Sequence, residues 1–283
     1  MTPVVAGAVL VAAVTHASWN AIAHGIKDQL LAFTLVGGGG AVCGAVLLPF
    51  TDVPAAGAWP YLAASAVVHV VYQLLLMRSF TLGDFGQMYP IARGTAPLAV
   101  TVLAAVFAGE FAGGWQLAGV AVASAGLVGL ALWGIRGSGA RPQWAAIGAA
   151  LATGLAIASY TVVDGLGVRA SGTPLGYIAW LMILEGLAIP AWALTVRRGR
   201  FLAELRPFAV RGLLGGLLSV FAYGLVLWAQ TRAALAPIAA LRESSILVGA
   251  AIGAVMMKER FGAPRIAAAA LMVAGIGLML HAG

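Results

Sequence analysis

Charged residues are scarce in this sequence, and their scarcity is the first constraint on what the protein is. Only 9% of the 283 residues are Asp, Glu, Lys or Arg, whereas 62% are hydrophobic, and the mean hydropathy is +0.99. A soluble domain has about 25% charged residues, so this chain cannot cover a surface that faces water. The composition therefore predicts an integral membrane protein whose surroundings are a lipid bilayer.

Other absences exclude further classes of protein. The single cysteine, Cys43, cannot form an internal disulfide, and its apolar surroundings favour a packing role. The sequence shows no Walker motif, no HExxH and no nucleophile motif of the GxS type, so we expect neither ATP hydrolysis nor intramembrane catalysis. The net charge of +7 comes mainly from arginines in short segments between apolar runs, which indicates membrane topology and not nucleic-acid binding. We expect no cofactor and no metal site.

Ten segments are long and apolar enough to span a membrane, for which about 20 residues are needed. The first apolar run has no basic segment before it and no clear cleavage site after it, so we interpret it as a helix and not a signal peptide. The predicted spans are 3–23, 30–50, 58–80, 86–108, 115–135, 144–164, 174–196, 208–230, 235–257 and 264–281.

The rare charged residues recur at a fixed spacing. Residues 90–132 align without a gap on residues 239–281, an offset of 149 positions, and a weaker counterpart of the first helix follows at an offset of 141. Alanine matches mean little in this chain, whereas matches between rare charged residues indicate a duplication. The aligned pairs are Arg93 and Arg242, Glu110 and Glu259, Gly113 and Gly262, and Gly126 and Gly275.

The duplication predicts an all-α protein of two five-helix repeats, residues 1–136 and 143–283. Because five crossings carry the chain to the opposite side, the second repeat is inserted upside down. Inverted repeats of this kind are a recurring plan for secondary transporters. We therefore expect a site between the repeats near the bilayer midplane, with alternating access produced by rocking of one repeat against the other.

One arginine lies inside the fourth helix of each repeat, at Arg93 and Arg242, with prolines nearby. A charge inside a span is costly unless it faces protein, a cavity or the interface. We interpret the pair as related half-sites that gate a cavity or contact an anionic group of the substrate. The alternatives are snorkelling near a helix end, or a structural pair such as Arg242 with Glu243.

Polar side chains three or four residues apart share a helix face, and inside apolar spans such a face should point away from lipid. The alternative is hydrogen bonding between helices, at about 0.6 kcal/mol each; the tryptophans either stack on substrate or pack between helices. The candidate pathway residues are His16, Trp19 and Asn20 in helix one, His69, Tyr72 and Gln73 in helix three, Arg93 in helix four, Tyr160 and Asp164 in helix six, Trp180 in helix seven, Tyr223 in helix eight, and Arg242 and Glu243 in helix nine.

Four segments carry a resemblance to a known family: "HASWNAIAHG", "MYPIARGTAPL", "ASYTVVDGLGVR" and "APIAALRESSILVGAAIGAVMMKERF". Over both halves the chain resembles the EamA family of the drug/metabolite transporter superfamily. The resemblance implies ten helices, a central cavity and movement of small metabolites, often export. We expect a plasma-membrane exporter of amino-acid-like or other small polar or amphiphilic solutes; the alternatives are an uptake permease of the same family and, more distantly, an intramembrane enzyme.

The coupling partner stays open between a proton and an exchanged solute. Small multidrug members of the superfamily carry a glutamate in helix one, where this chain has only His16. Titratable groups within other spans are Asp164, Glu185, Glu243 and His69. The sequence does not indicate an oligomeric state.

Membrane orientation is predicted from the loop charges. Apart from the two arginines within spans, twelve Lys and Arg residues fall in the loops after helices one, three, five, seven and nine, and only Arg169 and Arg232 fall on the other side. Positive loops stay in the cytoplasm, so both termini should face outward. The family resemblance suggests termini inside, and we follow the charge count.

Overall fold

The structure is a computed structural model that describes residues 1–24, 26, 28–137, 143–198, 201–249, 251 and 262–281. Within these residues the chain is helical and contains no strand. The helices are α1 (Pro3–His24), α2 (Gln29–Leu47), α3 (Trp59–Leu82), α4 (Phe85–Leu103), α5 (Gly114–Gly137), α6 (Trp144–Ser171), α7 (Pro174–Gly186), α8 (Ala188–Arg197), α9 (Phe201–Leu205), α10 (Ala209–Gln230), α11 (Leu235–Arg242) and α12 (Ala263–His281).

Nine stretches of the described residues are long and apolar enough to cross a membrane. Large apolar side chains on them are exposed, for example Val4, Phe107 and Leu155. On a soluble protein such surfaces would drive association, whereas in a bilayer lipid covers them. The prediction of an all-α, multi-pass membrane protein is confirmed. The predicted span 235–257 is described only in part, and Glu259 lies outside the described residues.

Helix starts follow local capping chemistry. The Asp28 side chain accepts a hydrogen bond from the Leu31 amide at the start of α2. Thr173 accepts one from the Gly176 amide at the start of α7. These side chains satisfy amides that have no partner within the helix. The N-terminal amide at Leu235 of α11 instead donates to the Glu110 carboxylate at 2.7 Å, which gives Glu110 a structural role.

The chain forms two compact units, and each contains segments of both predicted repeats. Unit 1 comprises Met1–Gly7, Val71–Val162 and Ala233–Gly283, and unit 2 comprises Ala8–Val70 and Val163–Arg232. Helices α1, α3 and α6 continue from one unit into the other.

Unit 1 is built on contacts of α5 with α4 and α12, while α11 packs on α4. A Cβ at Gly119 would lie 2.5 Å from the carbonyl oxygen of Gly275, and a Cβ at Gly126 would lie 2.9 Å from that of Ala268. Residue numbers rise along α5 as they fall along α12, so the two helices are antiparallel. Only small residues permit so close an approach of two backbones.

In unit 2, α2 packs against both α7 and α10. A Cβ at Gly44 would lie 2.6 Å from the Ala179 carbonyl oxygen, and one at Gly37 would lie 3.3 Å from that of Gly186, so α2 and α7 are antiparallel. A Cβ at Gly39 would meet the Gly212 carbonyl oxygen of α10, and one at Gly38 would meet Pro190 of α8. It follows that "GGGG" (37–40) is a helix-packing surface.

Three spans differ from the prediction. The span predicted at 174–196 is two helices, α7 and α8, divided at Leu187. Pro190 explains the division, because it has no N–H to offer the carbonyl of Gly186 and its ring clashes with that group. Helix α6 extends to Ser171, beyond the predicted end at 164. Helix α11 ends at Arg242, and a turn follows at 243–244.

Candidate functional site

Unit 2 contains a buried polar group that we call the unit 2 cluster, defined as His69, Asp164, Tyr177, Glu185 and Tyr223. Asp164 is fully buried in α6. One carboxylate oxygen accepts a hydrogen bond from the Tyr177 phenol at 2.9 Å, and the other accepts one from the Tyr223 phenol at 2.5 Å. Two donors from α7 and α10 therefore fix this carboxylate. Buried charges require such partners.

The second carboxylate of the unit 2 cluster lies where a spanning helix is broken. Glu185 is the penultimate residue of α7, and its Oε2 is 3.4 Å from Nδ1 of His69. That same Oε2 is buried and has no hydrogen-bond partner. His69 Nδ1 also lies 3.0 Å from the Ser65 hydroxyl and carbonyl oxygens, and the His69 ring packs edge-on against Tyr223.

The length of α6 and the division of the seventh span account for the positions of Asp164 and Glu185. Because α6 continues to Ser171, Asp164 lies about 10 Å inside the helix end and not at it. The division at Leu187 places Glu185 midway along the span Pro174–Arg197. Irregular backbone at membrane depth is tolerated where protein or a cavity covers it.

Unit 1 contains a second buried group, the unit 1 cluster. Its core is an ion pair between Arg93 of α4 and Glu243, with Nε and Oε2 2.7 Å apart and the two residues 3% and 1% exposed. Arg93 also donates from Nη2 to the Ser245 hydroxyl at 3.2 Å. The cluster consists of Tyr72, Tyr89, Arg93, Tyr160, Arg242 and Glu243.

Tyrosines enclose both guanidinium groups of the unit 1 cluster. Arg242, 4% exposed, lies 6.0 Å from the Tyr160 ring centroid and forms a side-chain hydrogen bond with that residue. The Arg93 guanidinium lies 5.9 Å from the ring of Tyr89, and Tyr72 packs edge-on against Tyr160. Aromatic faces attract such cations.

The formal charges of the unit 1 cluster do not cancel. Among the residues that the structure describes, it holds two guanidinium groups and one carboxylate. Arg242 and Glu243 lie where α11 ends, and the hydroxyl of the next residue, Ser244, is buried without a hydrogen-bond partner. The arrangement is suited to receiving an anionic group.

The structure thus gathers eight of the predicted pathway residues into two clusters. His69, Asp164 and Tyr223 belong to the unit 2 cluster, and Tyr72, Arg93, Tyr160, Arg242 and Glu243 to the unit 1 cluster. The polar face predicted along helix three is divided, because α3 continues from unit 2 into unit 1 between His69 and Tyr72.

The other predicted pathway residues have local surroundings. In α1, the rings of His16 and Trp19 are 5.0 Å apart, and the Asn20 amide donates to the His16 carbonyl at 2.8 Å. Trp180 packs against Trp59, with the ring centroids 5.0 Å apart, beside an apolar core. The half-buried Gln73 belongs to neither cluster as defined.

One alternative for the arginines, snorkelling near a helix end, does not fit the geometry. Arg93 and Arg242 are buried inside protein, so neither snorkels toward water. The structure shows an ion pair between Glu243 and Arg93, 150 positions apart in sequence, so a structural pair that includes Glu243 stays an alternative for these residues.

Glu185, Tyr177 and Tyr89 belong to the clusters but are not among the predicted pathway residues. Glu185 carried the clearest signal, as a lone carboxylate in an apolar span five residues before a proline. A groove between α5 and α12, by contrast, is lined by aliphatic residues and Trp133 without a charged group, so it lacks the chemistry of a polar site.

Comparisons with known proteins identify the fold alone. No protein-family model matches the sequence, and no curated protein matches it. Among solved structures, 29 chains match. One is a crystal structure of a protein with no stated function, with a TM-score of 0.71, 17% sequence identity, and coverage of 97% of this chain and 94% of the other.

Proposed function

We propose that the protein is a secondary transporter that moves small metabolites across the plasma membrane by alternating access, and that its substrates carry an anionic group. The observation that carries the proposal is the unit 1 cluster, with two buried guanidinium groups and one carboxylate, of which Arg93 lies inside the candidate span Gly86–Ala108. Amino-acid-like solutes, which have a carboxylate, are the first candidates.

The cost of burial supports a functional role for the unit 1 cluster. Burying an ionised group in a protein interior costs several kcal/mol of desolvation, and apolar residues of similar size would avoid that cost. Polar and ionisable groups inside spans are therefore associated with substrate and ion pathways. Discontinuous helices near the midplane, such as α7 with α8, accompany such pathways in transporters.

We further propose ten spanning helices. Three candidate spans lie between α5 and α12 in the described residues: α6, α7 with α8, and α10. With those crossings alone, α5 and α12 would run parallel, whereas their contacts are antiparallel. A further crossing within residues 231–262, where the sequence predicts helix nine, accounts for the difference.

Paired contacts support the inverted repeats. The 149-residue offset maps Gly119 onto Ala268 and Gly126 onto Gly275. The contact of Gly119 with Gly275 therefore has an image under the duplication, which is the contact of Gly126 with Ala268, and both occur. Exchange of partners in this way is the signature of a two-fold relationship. With the four motifs of the sequence, it supports membership of the EamA family.

Contacts between loops support the division of charges by side. Arg197, at the end of α8, forms ion pairs with Asp28 at 2.6 Å and with Glu204 at 3.1 Å. The loop after helix one and the arginine-rich loop after helix seven therefore lie together, as the charge count requires. We propose that this face is cytoplasmic and that both termini face outward.

A flux screen tests the proposed function. Purified protein in liposomes is supplied with a panel of radiolabelled amino acids, small carboxylates, nucleosides and sugars, and uptake is compared with protein-free liposomes. We expect saturable flux of at least one carboxylate-bearing solute. Loading the label inside or outside separates the export and uptake alternatives. Conversion of a solute to a new compound would instead favour the enzyme alternative.

A second arm of the screen uses the arginines. Arg93→Lys and Arg242→Lys keep the charge but lose the planar fork that binds a carboxylate through two hydrogen bonds. We expect weaker transport of carboxylates from both variants. The exposed Arg78 offers a matched control, Arg78→Lys, whose flux should equal that of the wild type. Normal flux from both cluster variants would rule out two-bond recognition.

A further inference from the structure

The unit 2 cluster contains two carboxylates, Asp164 and Glu185, whereas the unit 1 cluster contains one carboxylate and two guanidinium groups. We propose that Glu185 and His69 together bind one proton, and that this proton is the coupling ion of the transporter. The coupling half of the proposal rests on the proposed function, whereas the proton site stands on the geometry of the unit 2 cluster.

The first argument is the charge of the buried group. With Glu185 ionised and His69 neutral, Asp164 and Glu185 would place two negative charges in the interior of unit 2. Glu185 is 9% exposed and Asp164 is 0% exposed. An isolated buried carboxylate neutralises in preference to remaining charged. One added proton relieves the excess, whether it resides on the carboxylate or on the imidazole.

The second argument is that the two carboxylates differ in the hydrogen-bond donors that they have. Both oxygens of Asp164 accept hydrogen bonds from tyrosine hydroxyls, so its ionised form is stabilised by donors. Glu185 Oε2 is buried without a hydrogen-bond partner. A buried oxygen without a hydrogen-bond partner requires an explanation, and protonation of this oxygen supplies one. His69 Nδ1, at 3.4 Å from this oxygen, is placed to share it.

The third argument is the position of Glu185 at the broken end of α7. The C-terminal end of a helix carries partial negative charge, which disfavours a carboxylate and favours a cation or a proton. The titratable groups shown to interact with Glu185 are His69 from α3, at 3.4 Å, and Asp164 from α6. At the neighbouring Gly186, the nearest residues of α2 are Gly37 and Ala41, neither of which is titratable.

The number of oxygen atoms available as ligands in the unit 2 cluster favours a proton over a metal cation. Na⁺ and larger ions need several oxygen ligands, whereas both Asp164 oxygens are already engaged by phenols. Among the residues described by the structure, no group of three or more His, Cys, Asp or Glu side chains is arranged to hold a metal ion. A proton needs only one free lone pair, which Glu185 Oε2 provides.

Proton release from purified protein tests the site without any substrate. The protein in weakly buffered detergent solution is moved from neutral to alkaline pH, and a pH-indicator dye counts the protons released per molecule. We expect Glu185→Gln to release one proton fewer than the wild type. Glu204→Gln is the matched control, because Glu204 is an exposed carboxylate paired with Arg197, and it should release the wild-type number.

The outcomes separate the alternatives. Equal release from Glu185→Gln and the wild type would overturn the proton site, provided that both proteins elute as single species. Glu185→Asp retains a carboxylate and should restore the lost proton, which guards against a folding defect in the glutamine variant. Release of the proton when Na⁺ is added at constant pH would assign the site to a metal cation and overturn the proposal.

Coupling is then tested in liposomes with a solute that the wild type transports. An imposed pH gradient should drive its accumulation by the wild type and by the control Glu204→Gln, whereas Glu185→Gln should lose the gradient-driven accumulation. Gradient-driven accumulation by Glu185→Gln would overturn the coupling role. If the wild type moves no solute, the proposed function fails, and the proton count still decides the site.

Discussion

The ion pair of Arg93 with Glu243 makes a quantitative prediction. Replacing Arg93 by Met keeps the length of the side chain and removes its charge, so Glu243, 1% exposed, loses a cation at 2.7 Å. Breaking one side of a buried pair costs about 3–5 kcal/mol. Because Arg242 also interacts electrostatically with Glu243, we expect the lower end of that range, about 3 kcal/mol.

The double variant makes this prediction specific to charge. Arg93→Met combined with Glu243→Leu removes both members of the pair, and replacement of a whole buried pair by apolar groups is often neutral. We therefore expect the double variant to regain most of the lost stability. Arg78→Met, on the exposed side of α3, should change stability by less than about 0.5 kcal/mol.

The assay is equilibrium unfolding of the purified protein in mixed micelles with a rising fraction of denaturing detergent, followed by tryptophan fluorescence. A free energy of unfolding for Arg93→Met within about 1 kcal/mol of the wild-type value would refute the reasoning that Glu243 is left buried and uncompensated when Arg93 is removed. A double variant less stable than either single variant would do so as well.

Three further predictions concern packing, capping and topology. Gly119→Ala should lower the free energy of unfolding by about 1–3 kcal/mol, because its Cβ would meet the Gly275 carbonyl. Gly129→Ala on the same helix places its Cβ in open space and should raise the free energy of unfolding by up to about 1 kcal/mol. Equal effects of the two substitutions would contradict the α5–α12 contact. Glu110→Ala removes the acceptor of the α11 amide and should cost about 1–3 kcal/mol in the same unfolding assay, and no change would count against that cap. A reporter active only in the cytoplasm should be silent when fused at residue 283 and active in the loop 197–206, and the reverse pattern would favour inward termini.

Helix positions were predictable because membrane thickness and capping residues leave little freedom. Nine of the predicted spans correspond to spans in the described residues, since about 20 apolar residues are needed to cross the hydrocarbon. The interruption at Leu187 was not predicted, because a proline in a spanning segment either kinks or divides a helix according to its neighbours. The extension of α6 was likewise missed, since polar residues such as Asp164 resemble a helix end when they are in fact buried.

The site was predictable in its residue types and not in its pairings. An arginine inside an apolar span indicates a polar site, and both arginines are buried among other polar side chains. Helical periodicity placed His69 and Tyr72 on one face, but it could not show that α3 serves two clusters. The partnership of Arg93 with Glu243 and of Asp164 with two tyrosines depends on tertiary contacts that periodicity does not encode.

The central claim is that the unit 1 cluster recognises an anionic group on a transported solute. The most direct measurement compares liposome flux of a transported carboxylate with that of its amide, in the wild type and in Arg93→Gln. Charged hydrogen bonds contribute about 1.5–3 kcal/mol, so we expect the wild type to prefer the carboxylate by tenfold or more and the variant to lose that preference. Equal preference for the carboxylate in both proteins would contradict the claim.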